Sequence, residues 1–227
     1  DIVEHYEKRI EEGSTVLGKA MIVCSSRSIA WNLYQAIIHL RPEWAEIKEC
    51  IEGETLSEKE RKEIKPMPRI AMVITRDKDN DSDELYNLLG NDEYRKMLDK
   101  QFKEEKSNFK IAIVVDMWIT GFDVPSLAVM YIDKPLKKHL LIQTISRVNR
   151  VYPGKEYGMV IDYIGIRDNM REAMKIYGGD TSVAPTSDDV EQATEVFREE
   201  LEVLKTMFTG YDLKPFLNPE SDTVERY

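Results

Sequence analysis

Short apolar runs alternate with segments of helical spacing along most of the chain. The first run, Lys19–Cys24, has the length of a strand and ends in small polar residues, and residues 29–38 follow it with the periodicity of a helix. Further apolar runs predict strands at 69–75, 110–116, 128–133 and 157–163, while 84–109 and about 137–149 are predicted as mostly helix. Five continuously apolar strands, most of them separated by helices, predict an α/β fold whose parallel sheet is covered by helices on both faces.

The two ends of the chain do not follow this pattern. Residues 1–17 are predicted as a helical lead-in, which leaves 18–177 as the α/β domain. The range 178–227 begins with a turn-rich linker and continues with helical spacing from Asp188 to Phe208, so it is predicted as the start of a following helical domain. The chain starts at Asp1 without a signal-peptide pattern, and we therefore expect it to be a piece of a longer protein.

Composition and charge narrow the function classes. The chain has 227 residues, 42% of them hydrophobic, and a net charge of −10, so bulk positive charge cannot hold it to nucleic acid and any DNA contact must be local. No apolar stretch approaches the roughly 20 residues that cross a bilayer. Cys24 and Cys50 form no CxxC pattern, which favours a reducing cytoplasm and a role as small buried hydrophobic residues for both.

An acidic run at residues 77–84 has carboxylates two positions apart, like the first half of a calcium-binding loop. The rest of that loop is missing, because Ser82 stands where glycine is needed for the turn and Leu88 where glutamate would bind the ion. The run is therefore predicted as a solvated loop that leads into a helix, and no metal site is expected.

A second polar segment follows the predicted strand at 110–116. Thr120 and Gly121 would let a hydroxyl and the backbone approach a phosphate, and Asp123 would accept a hydrogen bond from a ribose hydroxyl. Parallel sheets of this kind place their chemistry at the carboxyl ends of strands. An ordinary turn, in which Asp123 caps the next segment, explains the same residues.

Two arginines stand three positions apart in the predicted helix at 137–149 and its end. Arg147 and Arg150 would then lie on one helix face, where two planar guanidiniums suit a triphosphate. Between Lys134 and Lys155 there are six Lys or Arg residues and no acidic residue, although the chain is acidic as a whole. We call this range the basic island; the competing interpretation is a solvated helix face.

The segments described so far resemble motifs of superfamily 2 helicases. Met21–Arg27 resembles motif IV, Thr120–Asp123 with its preceding strand resembles motif V, and Gln143–Arg150 resembles motif VI, in the correct order. Together they are similar to the second RecA-like domain of these proteins, which has a P-loop NTPase-like fold. Many superfamily 2 proteins have glycine where Ser146 and Asn149 stand.

One branch of that superfamily is more similar than the others. The residues of Trp118–Pro125, Gln143–Arg150 and Gly158–Gly165 look like those of the R subunit (HsdR) of type I restriction-modification enzymes. The resemblance covers about residues 18–170. Another superfamily 2 DNA or RNA helicase is the alternative within this class, and a non-catalytic α/β binding module is the alternative outside it.

The resemblance to R subunits implies a division of roles. ATP and Mg²⁺ would be bound jointly with a preceding RecA-like domain. Closure and reopening of the cleft between the two domains would drive translocation along double-stranded DNA. The subunit would work in a cytoplasmic complex with methylase and specificity subunits. The implied nucleotide residues are Gly121, Asp123, Gln143, Arg147 and Arg150, with the two arginines catalytic. The implied contacts to the DNA backbone are Ser25, Ser26, Arg27 and Thr120.

Motifs that such an enzyme needs are absent from these 227 residues. The sequence has no G-x-x-x-x-G-K-[ST] loop to hold phosphates, no D-E-x-[HD] pair for magnesium and no nuclease cluster of carboxylates with lysine. Catalysis would therefore belong to the intact subunit, a type I site-specific deoxyribonuclease, and the chain alone is expected to be inactive.

Overall fold

The computed structural model of the protein describes residues 1–13, 15, 17–136 and 138–165. All of them lie within Asp1–Gly178, the first of the two units into which the chain divides. The helical segment predicted at 178–227 lies outside the described residues.

Five parallel strands form one sheet in the order β2-β3-β1-β4-β5. Every strand was predicted as an apolar run, and the α/β class with a parallel sheet is confirmed. The central strand β1 is buried along its whole length and pairs with β3 on one side and β4 on the other. The strands are β1 Lys19–Cys24, β2 Ile70–Val73, β3 Ile111–Val114, β4 Leu127–Asp133 and β5 Met159–Asp162.

Six α-helices and one short 3-10 helix, Pro42–Ala45, accompany the sheet in the described part of the chain. The predicted helix at 84–109 is two helices. Gly90, at φ +61°, ends the first, and the Asn91 side chain caps the second by accepting a hydrogen bond from Tyr94 N at 2.9 Å. The helices are α1 Ile2–Glu11, α2 Arg27–Leu40, α3 Glu60–Glu63, α4 Asp83–Leu89, α5 Asp92–Lys103 and α6 Lys138–Val148.

Apolar side chains pack on both faces of the sheet, as predicted. Successive residues of β1 point to opposite faces, so Met21 and Val23 belong to one core cluster and Ala20 and Ile22 to the other. The first cluster includes residues of α5 and α6, and the second includes residues of α1, α2 and α4. None of the helices in the described ranges has the length and apolar character needed to cross a bilayer.

The two cysteines differ in burial. Cys24 is fully buried in the sheet, and burial raises the pKa of its thiol to about 12. Cys50 is only partly buried, because it lies in irregular chain outside the sheet, and its thiol donates to Glu54 O. The prediction that both are buried holds for Cys24 and is wrong for Cys50.

An ion pair joins the first residue of α2 to the loop between β2 and α4 at the carboxyl edge of the sheet. Arg27 Nη2 donates to both carboxylate oxygens of Asp81 at 2.5 and 2.6 Å, and Nη1 donates to Thr75 O at 2.6 Å. The Asp81 side chain is 1% exposed and also accepts from Asp77 N at 2.7 Å. We call this pair the Arg27–Asp81 clamp. The acidic run is otherwise mostly exposed and leads into α4, as predicted, but Asp81 is a structural residue.

Two lysines are buried at the opposite, amino edge. The Lys19 ammonium donates to Glu104 O and Phe109 O at 3.0 and 2.9 Å, and the Lys110 ammonium donates to Glu105 O at 2.8 Å. Burial lowers the pKa of Lys19 well below its usual range, and burial with nearby Arg69 lowers the pKa of Lys110 to about 8. These carbonyls accept a hydrogen bond from either amine whether it is charged or neutral.

The buried lysines predict a stability that rises with pH. Since the pKa of Lys110 is about 8 in the folded state and 10.5 ordinarily, the unfolded chain binds more protons between these values. In denaturant unfolding between about pH 8 and 9.5, Lys110 should contribute a gain approaching ~1 kcal/mol per pH unit, which the raised pKa of buried Cys24 opposes in the same window. Lys110→Met should therefore lower the slope by about that amount, whereas Lys96→Met, at an exposed site, should leave it unchanged; equal slopes in wild type and Lys110→Met would contradict the assignment.

Because of the clamp, we expect a substitution of Asp81 to lower stability, although the acidic sequence around it predicts an exposed position. Asp81→Asn removes the charge that pairs with Arg27 and weakens the acceptor of Asp77 N, so the free energy of unfolding should fall by roughly 1–3 kcal/mol. The matched control is Asp79→Asn in the same loop, where the residue is exposed and the change should stay within ~0.5 kcal/mol. Equal effects of the two substitutions would show that the clamp contributes no stability.

Candidate nucleotide and DNA site

The chain joins β3 to β4 without a helix, through residues 115–126, which we call the 115–126 connection. Because β3 and β4 are both parallel to β1, this segment has to run from the carboxyl edge of the sheet back to the amino edge. Buried Ile119, Phe122 and Val124 attach it to the same core cluster as α5 and α6. Thr120, Gly121 and Asp123 are exposed between them.

An aromatic stack holds the connection in an unusual backbone conformation. Trp118 has φ +66°, which costs a residue with a side chain about 1–3 kcal/mol. Its ring stacks on Phe122 with centroids 3.9 Å apart and an interplanar angle of 10°, and Phe102 packs beside both. Gly121 has φ +69°, and a β-carbon there would meet nothing within 4 Å, so the backbone at Gly121 is open to a ligand.

Helix α6 directs Arg147 at this connection. Buried Leu141, Thr144 and Val148 recur at helical spacing and fix the helix on the sheet. Arg147 Nε donates to Ile119 O at 2.7 Å, and its Nη1 donates to Phe122 O. Arg147 therefore holds the backbone on both sides of Thr120 and Gly121 through hydrogen bonds.

Arg150 also contacts this segment, but not because it shares a helix face with Arg147, as the sequence predicted. The helix ends at Val148, so Arg150 stands two residues beyond it and helical spacing does not align the two arginines. Its Nε lies 3.4 Å from Asp123 Oδ1, and the two side chains are 56% and 54% exposed. The two arginines converge because both contact residues 119–123. The Arg150–Asp123 ion pair is so exposed that it contributes only about 0–1 kcal/mol to stability.

Gln143 completes this group. It lies one helical turn before Arg147, so its amide and the Arg147 guanidinium share a side of α6. The structure thus places Arg147 and Arg150 at the segment that carries Gly121 and Asp123, while the assignment of these residues and Gln143 to nucleotide stays a prediction. Two guanidiniums beside an open glycine fit phosphate oxygens, whereas no group of three or more His, Cys, Asp or Glu side chains in the described ranges is arranged to hold a metal ion.

The residues assigned to DNA divide into two places. Ser25, Ser26 and Arg27 lie together where β1 ends and α2 begins, and Ser26 caps the helix, its Oγ accepting from Ile29 N at 3.3 Å. Ser25 is exposed, whereas the Arg27 guanidinium is held in the clamp with Asp81. Thr120 is exposed in the 115–126 connection, and all of these DNA contacts stay predictions.

The sequence did not predict that lysines of the basic island bind the protein's own backbone. Lys134 donates to Val115 O at 2.9 Å and to Asp116, and Lys155 donates to Pro125 O at 2.8 Å. These two lysines therefore fix the first and last parts of the 115–126 connection. The island's lack of acidic residues was the available signal, but it did not distinguish ligand contacts from contacts to the protein's own backbone.

Comparisons with known proteins identify the family of the chain. A family model described as "Type I restriction enzyme subunit R domain 3" matches residues 18–165. The HindI endonuclease subunit of Haemophilus influenzae is 35% identical over 92% of this chain and 18% of its own length. The putative MjaIXP endonuclease subunit of Methanocaldococcus jannaschii is 32% identical over 99% of this chain and 19% of its own length. The chain thus spans about a fifth of these relatives.

Among solved structures, the chain is similar to a fragment of a putative HsdR subunit from Vibrio vulnificus, with 13% identity, a TM-score of 0.44 and coverage of 73% of this chain and 27% of that one. It is also similar to the C-terminal domain of Saccharomyces cerevisiae Dbp5, with 16% identity, a TM-score of 0.40 and coverage of 87% and 90%. The family match covers most of the α/β domain, including the strands and helices that carry both groups of candidate residues. On that match, the chain belongs to the family of type I restriction enzyme R subunits, in the part described as domain 3.

Proposed function

We propose that this chain is the second motor domain of an ATP-dependent double-stranded DNA translocase within a type I restriction R subunit. The observation that carries the proposal is the convergence of Arg147 and Arg150 on residues 119–123, beside the open backbone of Gly121. ATP and Mg²⁺ would be bound jointly with a preceding RecA-like domain, which would supply the phosphate loop and magnesium ligands that these residues lack.

The two arginines have different tasks in this proposal. The Arg150 guanidinium is exposed and keeps only a weak pair with Asp123, so it can turn towards the γ-phosphate and stabilise the charge that develops there. An arginine in this role raises the rate of phosphoryl transfer about 10³- to 10⁵-fold. Arg147 already bonds two carbonyls, and it would join the phosphate only by exchanging those bonds. Asp123 and Gln143 would contact the nucleotide beside them.

DNA would bind at the carboxyl edge of the sheet through its phosphate backbone. Exposed Ser25 and the capped amino end of α2 offer hydroxyl and N–H donors, and Thr120 offers a further hydroxyl. Such contacts carry no sequence information, so target recognition would belong to a specificity subunit that works with the methylase subunit in a cytoplasmic complex. The runner-up, the C-terminal motor domain of another superfamily 2 helicase, would use the same arginines.

The first test replaces Arg150 in the intact subunit, assembled with its partner subunits. Arg150→Ala should reduce DNA-dependent ATP turnover by about 10³-fold, because it removes the exposed guanidinium that pairs with Asp123 and is proposed to reach the γ-phosphate. DNA affinity and thermal stability should stay close to wild type. Arg150→Lys should restore little, since a point charge cannot reproduce the planar fork of a guanidinium.

The matched control for Arg150 is Arg61→Ala, which removes an arginine that is 59% exposed and pairs with Glu49 at 3.5 Å, far along the chain from the site. It should leave turnover unchanged. Near-normal turnover of Arg150→Ala, or equal losses in both variants, would rule out the arginine-finger role.

The second test uses the 227-residue chain by itself. Purified chain should hydrolyse no ATP above background, with or without duplex DNA and Mg²⁺, because its sequence has no phosphate loop and no D-E-x-[HD] pair. Release of inorganic phosphate measures this directly, with the intact subunit as the positive control. Magnesium-dependent turnover by the isolated chain would show that it holds a complete site of its own.

A further inference from the structure

The loop that joins α6 to β5 contains a tight turn. Lys155 N donates to Tyr152 O at 3.0 Å, and Gly154, between Pro153 and Lys155, has φ +76°. Proline at the second position and a glycine of positive φ at the third are the requirements of a type II turn. The turn sends the chain back towards the end of α6, where a β-carbon on Gly158 would lie 2.0 Å from Val148 O.

The Lys155 side chain extends from this turn to two backbone carbonyls. Its ammonium donates to Pro125 O at 2.8 Å and to Arg150 O at 3.0 Å. Pro125 belongs to the 115–126 connection, and Arg150 stands just beyond α6. One cation therefore fastens the backbone of Arg150 to the segment that carries Gly121 and Asp123.

The location favours a cation for a second reason. An ammonium beside the end of α6 is attracted by the negative end of the helix dipole, and the carbonyl that Lys155 bonds there, Arg150 O, lies two residues beyond the helix. Burial lowers the pKa of Lys155, because the side chain is partly withdrawn from water. Its contacts are with the Arg150 backbone and leave the Arg150 guanidinium exposed.

We propose that Lys155 is the positioning residue for Arg150: it fixes the backbone from which the Arg150 guanidinium reaches the nucleotide. This inference rests on the proposed function. With the Lys155 contacts in place, only the side-chain torsions of Arg150 have to change when it moves from Asp123 to a phosphate. Without them, the Arg150 backbone loses the hydrogen bond that joins it, through the Lys155 ammonium, to Pro125 of the 115–126 connection.

The experiment compares Lys155→Met with Lys96→Met in the intact subunit and its complex. Lys96 is exposed on α5 and has no hydrogen-bond partner among the described residues, so it is a matched loss of one charge. Because a misplaced catalytic group costs about 10²-fold in rate, Lys155→Met should lower kcat for DNA-dependent ATP hydrolysis by roughly 10- to 100-fold. The KM for ATP should change by less than ~3-fold, since the lost contact acts on the transition state.

Lys155→Arg tests whether the contact itself matters. A guanidinium can also donate to two carbonyls, so this variant should keep kcat within ~3-fold of wild type. A purely structural role would instead reduce the folded fraction, and melting temperature together with active-site titration measure that fraction. The inference is overturned if kcat per folded subunit is normal in Lys155→Met, or if the Arg variant is as impaired as the Met variant.

Arg150→Ala is measured beside these variants to separate the two proposals. Normal turnover in Arg150→Ala overturns the proposed function, and the role of Lys155 is overturned with it. Collapsed turnover in Arg150→Ala together with normal kcat in Lys155→Met overturns only the positioning role. Collapse in the first and a 10- to 100-fold loss in the second, with rescue by arginine, supports both.

Discussion

The 115–126 connection crosses one face of the sheet without forming a helix or strand, so its backbone carbonyls have to find donors elsewhere. Three cations of the basic island supply them: Lys134 bonds Val115 O, Arg147 bonds Ile119 O and Phe122 O, and Lys155 bonds Pro125 O. Every candidate nucleotide residue lies on this connection, on α6 or just beyond α6. The geometry of the site therefore depends on how positive charge is shared between the protein's own carbonyls and a ligand.

The contacts that each arginine already makes determine which of them can turn more easily towards a phosphate. Hydrogen bonds to charged groups contribute roughly 1.5–3 kcal/mol each, and Arg147 would give up two of them to reach a phosphate. Arg150 would give up one exposed ion pair, a loss of about 0–1 kcal/mol. The difference of several kcal/mol favours Arg150 as the mobile finger and Arg147 as the residue that keeps the connection in shape. The left-handed backbone at Trp118 adds a strain that the stack with Phe122 and these bonds oppose.

Local sequence predicted the elements of this fold better than their ends and their long-range contacts. Five apolar runs predicted all five strands, because buried parallel strands are apolar on both faces. The break at Gly90 and Asn91 was missed, although glycine followed by a capping residue is a recognisable helix boundary. The Arg27–Asp81 clamp could not be predicted, since its partners are 54 positions apart and only the folded sheet brings them together. The same holds for Lys155, whose acceptor on Pro125 is 30 positions away.

The connection also provides a physical link between the two surfaces of the proposed motor. It begins at the carboxyl edge, where Ser25 and Ser26 lie, and it passes the arginines on its way to the amino edge. Exposed Thr120 stands between Ile119 and Phe122, the two residues whose carbonyls Arg147 holds. A phosphate that drew Arg147 away, against the cost of its two hydrogen bonds, would leave the backbone on both sides of Thr120 without these donors and free to adopt a second arrangement. An element with two arrangements that both ligands bias is what coupling between sites requires, and under the proposed function residues 119–123 would be that element.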